Sequence, residues 1–362
     1  MTDAIPTVAI PPLMFIGLLL GLWTWKCFWI IVMQNKLLYL SWLPPFTRSE
    51  AISDYEAECR PVRWEEKQIR SLDGTKLALC EGHIPIHHKD KKSLSNSDAR
   101  KPNDQGKMPA KRKKSTSSAA TDSDVTKYTV AALSYRGYWT SSGRATQSGI
   151  EKDAQALLAW VSETYATPET DLEIVIWGHS LGAAVASSAV ATYLPRQHQR
   201  QMSSDTSSEK PLAPISKLIL EAPTSSIKDM LISLYPQKWL PYRYLWPFSW
   251  NTWDIKSSMR QMATWMNQAS SQSPNAEATG SIPRSLPPIF LLSAEKDEVI
   301  PSYVPEQLHK HADSLGLEIE TKNVLGAMHI EAPLKLDGRK AMVEFILKGT
   351  TMPKTQYPRN NR

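Results

Sequence analysis

Five residues, Gly178-His179-Ser180-Leu181-Gly182, sit between an apolar strand-like run, Leu172 to Trp177, and an Ala- and Val-rich helical run, Leu181 to Tyr193. In that context a G-x-S-x-G pattern predicts a nucleophile elbow. The glycines at 178 and 182 allow a sharp turn in which no β-carbon crowds Ser180, so that its hydroxyl stands above the sheet. The N-terminus of the following helix offers backbone N–H groups, Leu181 first, to a developing oxyanion. No residue is assigned as second donor.

The rest of the chain fits a strand-to-helix frame. Trp64 to Ile69 and Lys76 to Cys80 read as strands flanking an Asp73-Gly74 hairpin turn. Tyr128 to Tyr135, Ile215 to Glu221, Ile289 to Ser293 and Leu317 to Val324 read as further strands. Helices are predicted over Ile150 to Tyr165 and Arg339 to Lys348, and a polar loop over Pro195 to Pro214. Such alternation predicts an α/β fold with a mostly parallel sheet covered on both faces.

A serine hydroxyl needs a base, and the base needs a carboxylate to hold its tautomer. With a nucleophile elbow the chain order is nucleophile, acid, base. Asp297, within Glu295-Lys296-Asp297-Glu298 after the Ile289 strand, is the candidate acid, with Glu295 and Glu298 as competitors. His329, in Gly326-Ala327-Met328-His329 past the last strand, is the candidate base. His83, His87 and His88 precede the nucleophile, His198 falls in the polar loop, and His309 and His311 lie on a surface helix, so they are less well placed.

The chain resembles the α/β-hydrolase-fold serine hydrolases, in the membrane-anchored branch that includes lysophospholipid and monoacylglycerol lipases. The residues that carry the resemblance are Ser134-Tyr135-Arg136-Gly137-Tyr138, Ser142-Gly143, Gly149 and Asp153, followed by the elbow. Asn35-Lys36-Leu37-Leu38-Tyr39, Asp297-Glu298-Val299-Ile300-Pro301 and Ala327-Met328-His329 are similar too. The resemblance implies ester or thioester hydrolysis through an acyl-serine, with no metal or organic cofactor.

One part of the pattern is missing. Before the Tyr-Arg-Gly strand the family carries another buried strand, a loop with the second oxyanion N–H, and a helix. Here 83–127 stands in that place, without four consecutive apolar residues. Loss of the donor is worth about 10²–10³ in turnover, and loss of the strand leaves a gap unless its neighbours pair. Three explanations follow: an internal segment lost from the transcript, a non-catalytic relative, or direct pairing of the flanking strands. Survival of the triad candidates favours the first, and such a chain is expected to hydrolyse weakly and fold poorly.

Leu13 to Met33 is apolar except for Thr24 and Lys26, and its 21 residues suffice to cross a hydrocarbon layer about 30 Å thick. Lys26 costs about 3 kcal/mol near mid-helix, which the surrounding apolar side chains offset. The expected organisation is therefore an anchor and juxtamembrane segment over 1–43 and a hydrolase domain over 62–349, ending in a flexible tail, 350–362. Within the domain lie a disordered basic linker, 83–127, and a lid region, 224–286. Lys36 and Arg48 follow the span and no Lys or Arg precedes it, which places the domain on the cytoplasmic side. The resemblance points to the endoplasmic reticulum.

The formal charge of +6 does not imply a nucleic-acid partner. Eleven Lys or Arg and five Asp between Lys89 and Lys127 account for all of it, in a stretch without interleaved aromatics. Trp239, Trp246, Trp250, Trp253 and Trp265 make the lid region aromatic, which suits an acyl chain. The expected partners are a lipid or acyl-ester substrate and a membrane, with oligomeric state open. The rival expectation is a membrane-tethered interaction protein that keeps the fold without the reaction.

Overall fold

A computed structural model describes residues 7–41, 43, 49–84, 127–167, 170–203, 212–272 and 285–349. The expectations for the basic linker and the tail therefore fall almost wholly outside the described residues. One compact unit comprises Met1–Ser49, Gln68–Ala78 and Leu133–Arg362, and the other Glu50–Lys67 and Leu79–Ala132.

Among the described residues the strands are β1 (Arg63–Arg70), β2 (Lys76–His83), β3 (Thr129–Ser134), β4 (Ile174–His179), β5 (Ile215–Glu221), β6 (Ile289–Ala294) and β7 (Ile319–Val324). The helices are α1 (Ile10–Val32), α2 (Gln34–Tyr39), α3 (Gln147–Tyr165), α4 (Leu181–Ser203), α5 (Ile227–Leu234), α6 (Ile255–Gln272), α7 (Tyr303–Ser314) and α8 (Leu336–Leu347). The β1–β2 connection is the turn expected at Asp73-Gly74. Gly74 adopts φ +83, and the Asp73 carboxylate accepts from the Thr75 N–H and hydroxyl at 3.2 and 2.7 Å.

The strands form two sheets, β1-β2-β3 and β4-β5-β6-β7. All three pairings in the second are parallel, as expected of strands linked through helices. Its faces separate two apolar clusters, as the alternation of side chains along a strand requires. Leu218, Leu220, Ile289 and Leu291 pack with α3, α4, α6 and α7 residues. Ile219, Phe290 and Leu292 pack with Met342 and Phe345 of α8.

No ladder joins β3 to β4 among the described residues, so the flanking strands do not close the gap by pairing. Among the described residues the elbow strand β4 is consequently an edge. β5 and β6 are almost wholly buried, whereas Trp177 of β4 is 54% exposed. On the α8 side of the sheet the packed cluster stops at Val175.

The polar loop expected over Pro195 to Pro214 begins later than the sequence implies, because α4 continues to Ser203 with Pro195 inside it. Proline removes one helical hydrogen bond, and tertiary packing compensates: the His198 ring lies edge-on to Trp265 of α6, 6.1 Å between centroids.

The motif around Arg136 is a structural ion cluster. Its guanidinium donates to both oxygens of Asp153, from Nη2 at 2.6 Å, to both oxygens of Asp73, from Nη1 at 2.9 Å, and to Ser71 Oγ at 3.0 Å. Asp153 is completely buried. Arg136 and Thr75 hold the Asp73 carboxyl well below its ordinary range through hydrogen bonds, and the two carboxylates raise Arg136. Gly149 is required here, since a β-carbon would meet Arg136 Cδ at 2.5 Å.

Candidate active site

β4 ends at His179 and α4 begins at Leu181, so Ser180 makes the turn alone. It has φ +52, a left-handed conformation that costs about 1–2 kcal/mol for a residue with a side chain. Its N–H donates to the Glu221 carbonyl at 2.8 Å, and its own carbonyl accepts from Ala183 at 3.0 Å. Leu181 N–H lies in the first turn of α4, where no helical carbonyl precedes it. The structure assigns no second oxyanion donor.

The two elbow glycines differ in their steric need. A β-carbon on Gly178 would stand 2.2 Å from the Gly182 carbonyl oxygen, a backbone atom that cannot yield. One on Gly182 would meet nothing within 4 Å, so crowding does not impose the second glycine, contrary to expectation. Gly178→Ala is expected to cost at least about 3 kcal/mol. Gly182→Ala is expected to be neutral or stabilising by up to about 1 kcal/mol. Thermal unfolding of the detergent-solubilised chain checks both.

Parallel pairing brings the C-terminal ends of β4, β6 and β7 to one end of the sheet, through His179↔Glu221, Glu221↔Leu292 and Ala294↔Val324. The loops after these strands carry Ser180, Asp297 and His329. Asp297 and His329 meet: His329 Nδ1 lies 3.0 and 2.9 Å from the two carboxylate oxygens. The pair is nearly buried, and Asp297 Oδ1 also accepts from the N–H groups of Val299 and Ile300 at 2.9 and 2.7 Å. The competing carboxylates are engaged with backbone instead. Glu298 accepts the His329 N–H at 3.1 Å and Glu295 the Gly326 N–H at 2.7 Å.

Ser180 is not joined to this pair. No hydrogen bond links its hydroxyl to His329 among the described residues. The neighbouring His179 lies against His329, with 4.8 Å between ring centroids and His179 Nε2 3.3 Å from the His329 carbonyl oxygen. His329 is thus held by Asp297 at Nδ1, by Glu298 at its N–H and by His179 at its carbonyl, while Nε2 carries no hydrogen bond among the described residues.

Glu221, absent from the expected site, is a buried carboxylate beside these imidazoles. Its Oε2 accepts from Trp177 Nε1 at 2.8 Å, and its Oε1 lies 3.9 Å from His179 Nε2. Burial pushes its carboxyl above the ordinary range, opposed by His179, the Trp177 hydrogen bond and His329. The signal in the sequence is a carboxylate that follows the apolar run Leu218-Ile219-Leu220 at the end of β5. A cavity of about 370 Å³ opens on the Asp297 side, lined in part by Ala222, Ser293, Ile300 and His309, and reaches neither Ser180 nor His329.

In the second unit, Glu65, Glu81 and His83 hold donor atoms within 4.8 Å of one another. Lys67 already forms an ion pair with the buried Glu81.

No family model matches the chain. The lysophosphatidylserine lipase ABHD12 of Danio rerio is 29% identical over 182 residues, 50% of this chain and 39% of the relative. ABHD12 of Bos taurus is 30% identical over 186 residues, 51% and 38% respectively. The protein bem46 of Schizosaccharomyces pombe is 28% identical over 169 residues, 47% and 42%. Each match therefore spans about two-fifths of the relative's own length. The crystal structure of an α/β hydrolase from Vibrio vulnificus aligns with TM-score 0.50 at 12% identity, covering 86% of this chain and 92% of that one. The chain is an α/β-hydrolase-fold protein, related over about half its length to the ABHD12 lipases and to bem46.

Proposed function

We propose that the chain is a membrane-anchored serine hydrolase that cleaves carboxylic esters or thioesters of lipids or acylated substrates. Ser180 is the nucleophile, His329 the base and Asp297 the residue that orients it. The observation that carries this reading is the His329 imidazole, fixed at Nδ1 by a carboxylate with Nε2 uncommitted among the described residues, at the C-terminal end of the sheet where a strained serine follows β4. Nε2 takes the Ser180 proton as Oγ attacks the acyl carbon, and Leu181 N–H faces the developing oxyanion. The protonated imidazole then gives its proton to the leaving alcohol or thiol. Water, activated by the same nitrogen, releases the acid and restores Ser180.

The relatives named as lysophosphatidylserine lipases support a lipid ester as substrate class. Helix α1 supports the anchor: it has 23 residues, is long and apolar enough to cross a membrane, and none of its side chains is buried. A single pass at residues 10–32, with the domain following it on the cytoplasmic side of the endoplasmic reticulum, completes the reading. A fluorophosphonate probe is expected to label the wild-type chain and to leave Ser180→Ala unlabelled.

The lack of a Ser180–His329 hydrogen bond among the described residues and the edge position of β4 there favour a second reading, a hydrolase-fold interaction protein without turnover. An unlabelled but folded wild-type chain would select it.

A further inference from the structure

The segment after α5 does not pack its aromatics uniformly. Trp253 is buried, whereas Trp239, Phe248 and Trp250 are 66, 59 and 64% exposed, with Tyr244 and Trp246 exposed beside them. Exposed aromatics gathered on one segment mark a surface that meets something other than water.

Two observations identify what it meets. First, this segment is joined to α2, which only Met33 separates from the end of α1. The Gln34 amide donates to the Phe248 carbonyl at 3.2 Å and accepts the Trp250 N–H at 2.7 Å. The Asn251 amide donates to Asn35 at 2.7 Å and accepts from the buried Tyr39 hydroxyl at 2.7 Å. Trp253 Nε1 donates to the same hydroxyl at 2.9 Å. Second, the segment climbs along α1, for the Trp239 ring lies 5.9 Å from Trp23. Trp23 stands nine residues before Val32, about 13 Å along the axis at 1.5 Å per residue. A bilayer crossed by α1 therefore contains Trp239.

The segment also fits that solvent. Irregular backbone survives near hydrocarbon only when its polar groups find partners within the protein. Arg243 Nη1 donates to the carbonyls of Tyr235 and Pro236 at 3.1 and 3.0 Å, and Tyr244 donates to that of Lys238 at 2.8 Å. Pro236, Pro241 and Pro247 have no N–H to satisfy. From Leu234 to Trp253 there are two basic residues and no acidic one, a balance suited to an anionic headgroup layer.

We propose that residues 234–250 form a second membrane-embedded element, seated in the leaflet from which α1 emerges and tied to the adjoining α2 through Gln34, Asn35 and Tyr39. The proposal rests on the anchor in the reading above and not on catalysis. It gives the lid a lipid-facing surface, so that a substrate would arrive laterally from the leaflet.

Its test uses the full chain in vesicles of phosphatidylcholine and phosphatidylserine, with Cys27, Cys59 and Cys80 replaced by serine. A nitrobenzoxadiazole label is placed singly at Phe248→Cys, Trp250→Cys, Leu20→Cys on α1 and Val343→Cys on α8. Doxyl-labelled phosphatidylcholine is expected to quench positions 248 and 250 to within a factor of about two of position 20, and to leave position 343 unquenched. Quenching at 20 without quenching at 248 and 250 overturns the embedded lid and leaves the anchor standing. No quenching at 20 overturns the anchor, and the embedded lid with it.

Discussion

Asp297→Asn is expected to lower kcat for a short-chain aryl ester by about 10⁴, to the buffer background. The amide is close in size to the carboxylate, so the loop it organises through Val299 and Ile300 keeps its shape. What changes is the proton. A carboxylate accepts from Nδ1–H and leaves Nε2 free as a base, whereas an amide that presents its NH₂ group selects the opposite tautomer. Glu298→Gln is the control, because among the described residues Glu298 accepts the backbone N–H of His329 and not its ring, so the tautomer does not depend on it. It is expected to keep most of the wild-type rate. Equal losses in the two variants would return the acid assignment to the competition among Glu295, Asp297 and Glu298.

Arg136→Ala is expected to destabilise the chain by about 3–5 kcal/mol, read as a fall in unfolding midpoint of the detergent-solubilised protein. Most of that cost comes from Asp153, fully buried and deprived of the guanidinium that neutralises it. Arg136→Lys is expected to recover only part of it, because an ammonium cannot present the planar fork that bridges Asp153, Asp73 and Ser71. The same cluster sets an acid limit. Asp73 has a folded-state value below its unfolded one, so the folded state binds fewer protons. Its contribution is complete at neutral pH and is lost as the pH falls through the unfolded value and then the lower folded one. In Arg136→Ala this part of the acid dependence is expected to shrink.

The fold was largely legible because its signals are local. Apolar runs marked β4, β5 and β6, an Asp-Gly pair marked the β1–β2 turn, and a Ser between two glycines after a strand marked the tight bend at Ser180. Residues 83–127 lack the apolar run that a central strand requires, and 85–126 lie outside the described residues. Packing overrode local chemistry elsewhere. Pro195 reads as a stop, yet α4 runs on because its last turns lie against α6. Gly182 reads as obligatory, yet only Gly178 lies too close to backbone to carry a β-carbon. Glu221 was invisible as a site residue because a carboxylate gains meaning there only from the imidazoles around it.

By itself the sequence determined the order of the strands, the helices α3, α4 and α8, the sharp turn at Ser180, and the presence of a carboxylate and an imidazole in the loops after β6 and β7. These follow from side-chain periodicity and from backbone freedom within a few residues. Only the tertiary structure decided that Asp297 rather than Glu295 or Glu298 meets His329, that the His179 ring lies against His329, and that the lid is tied to α2. Those choices join residues 30 to more than 200 positions apart, and side-chain distances across such separations depend on how the whole sheet and its loops pack.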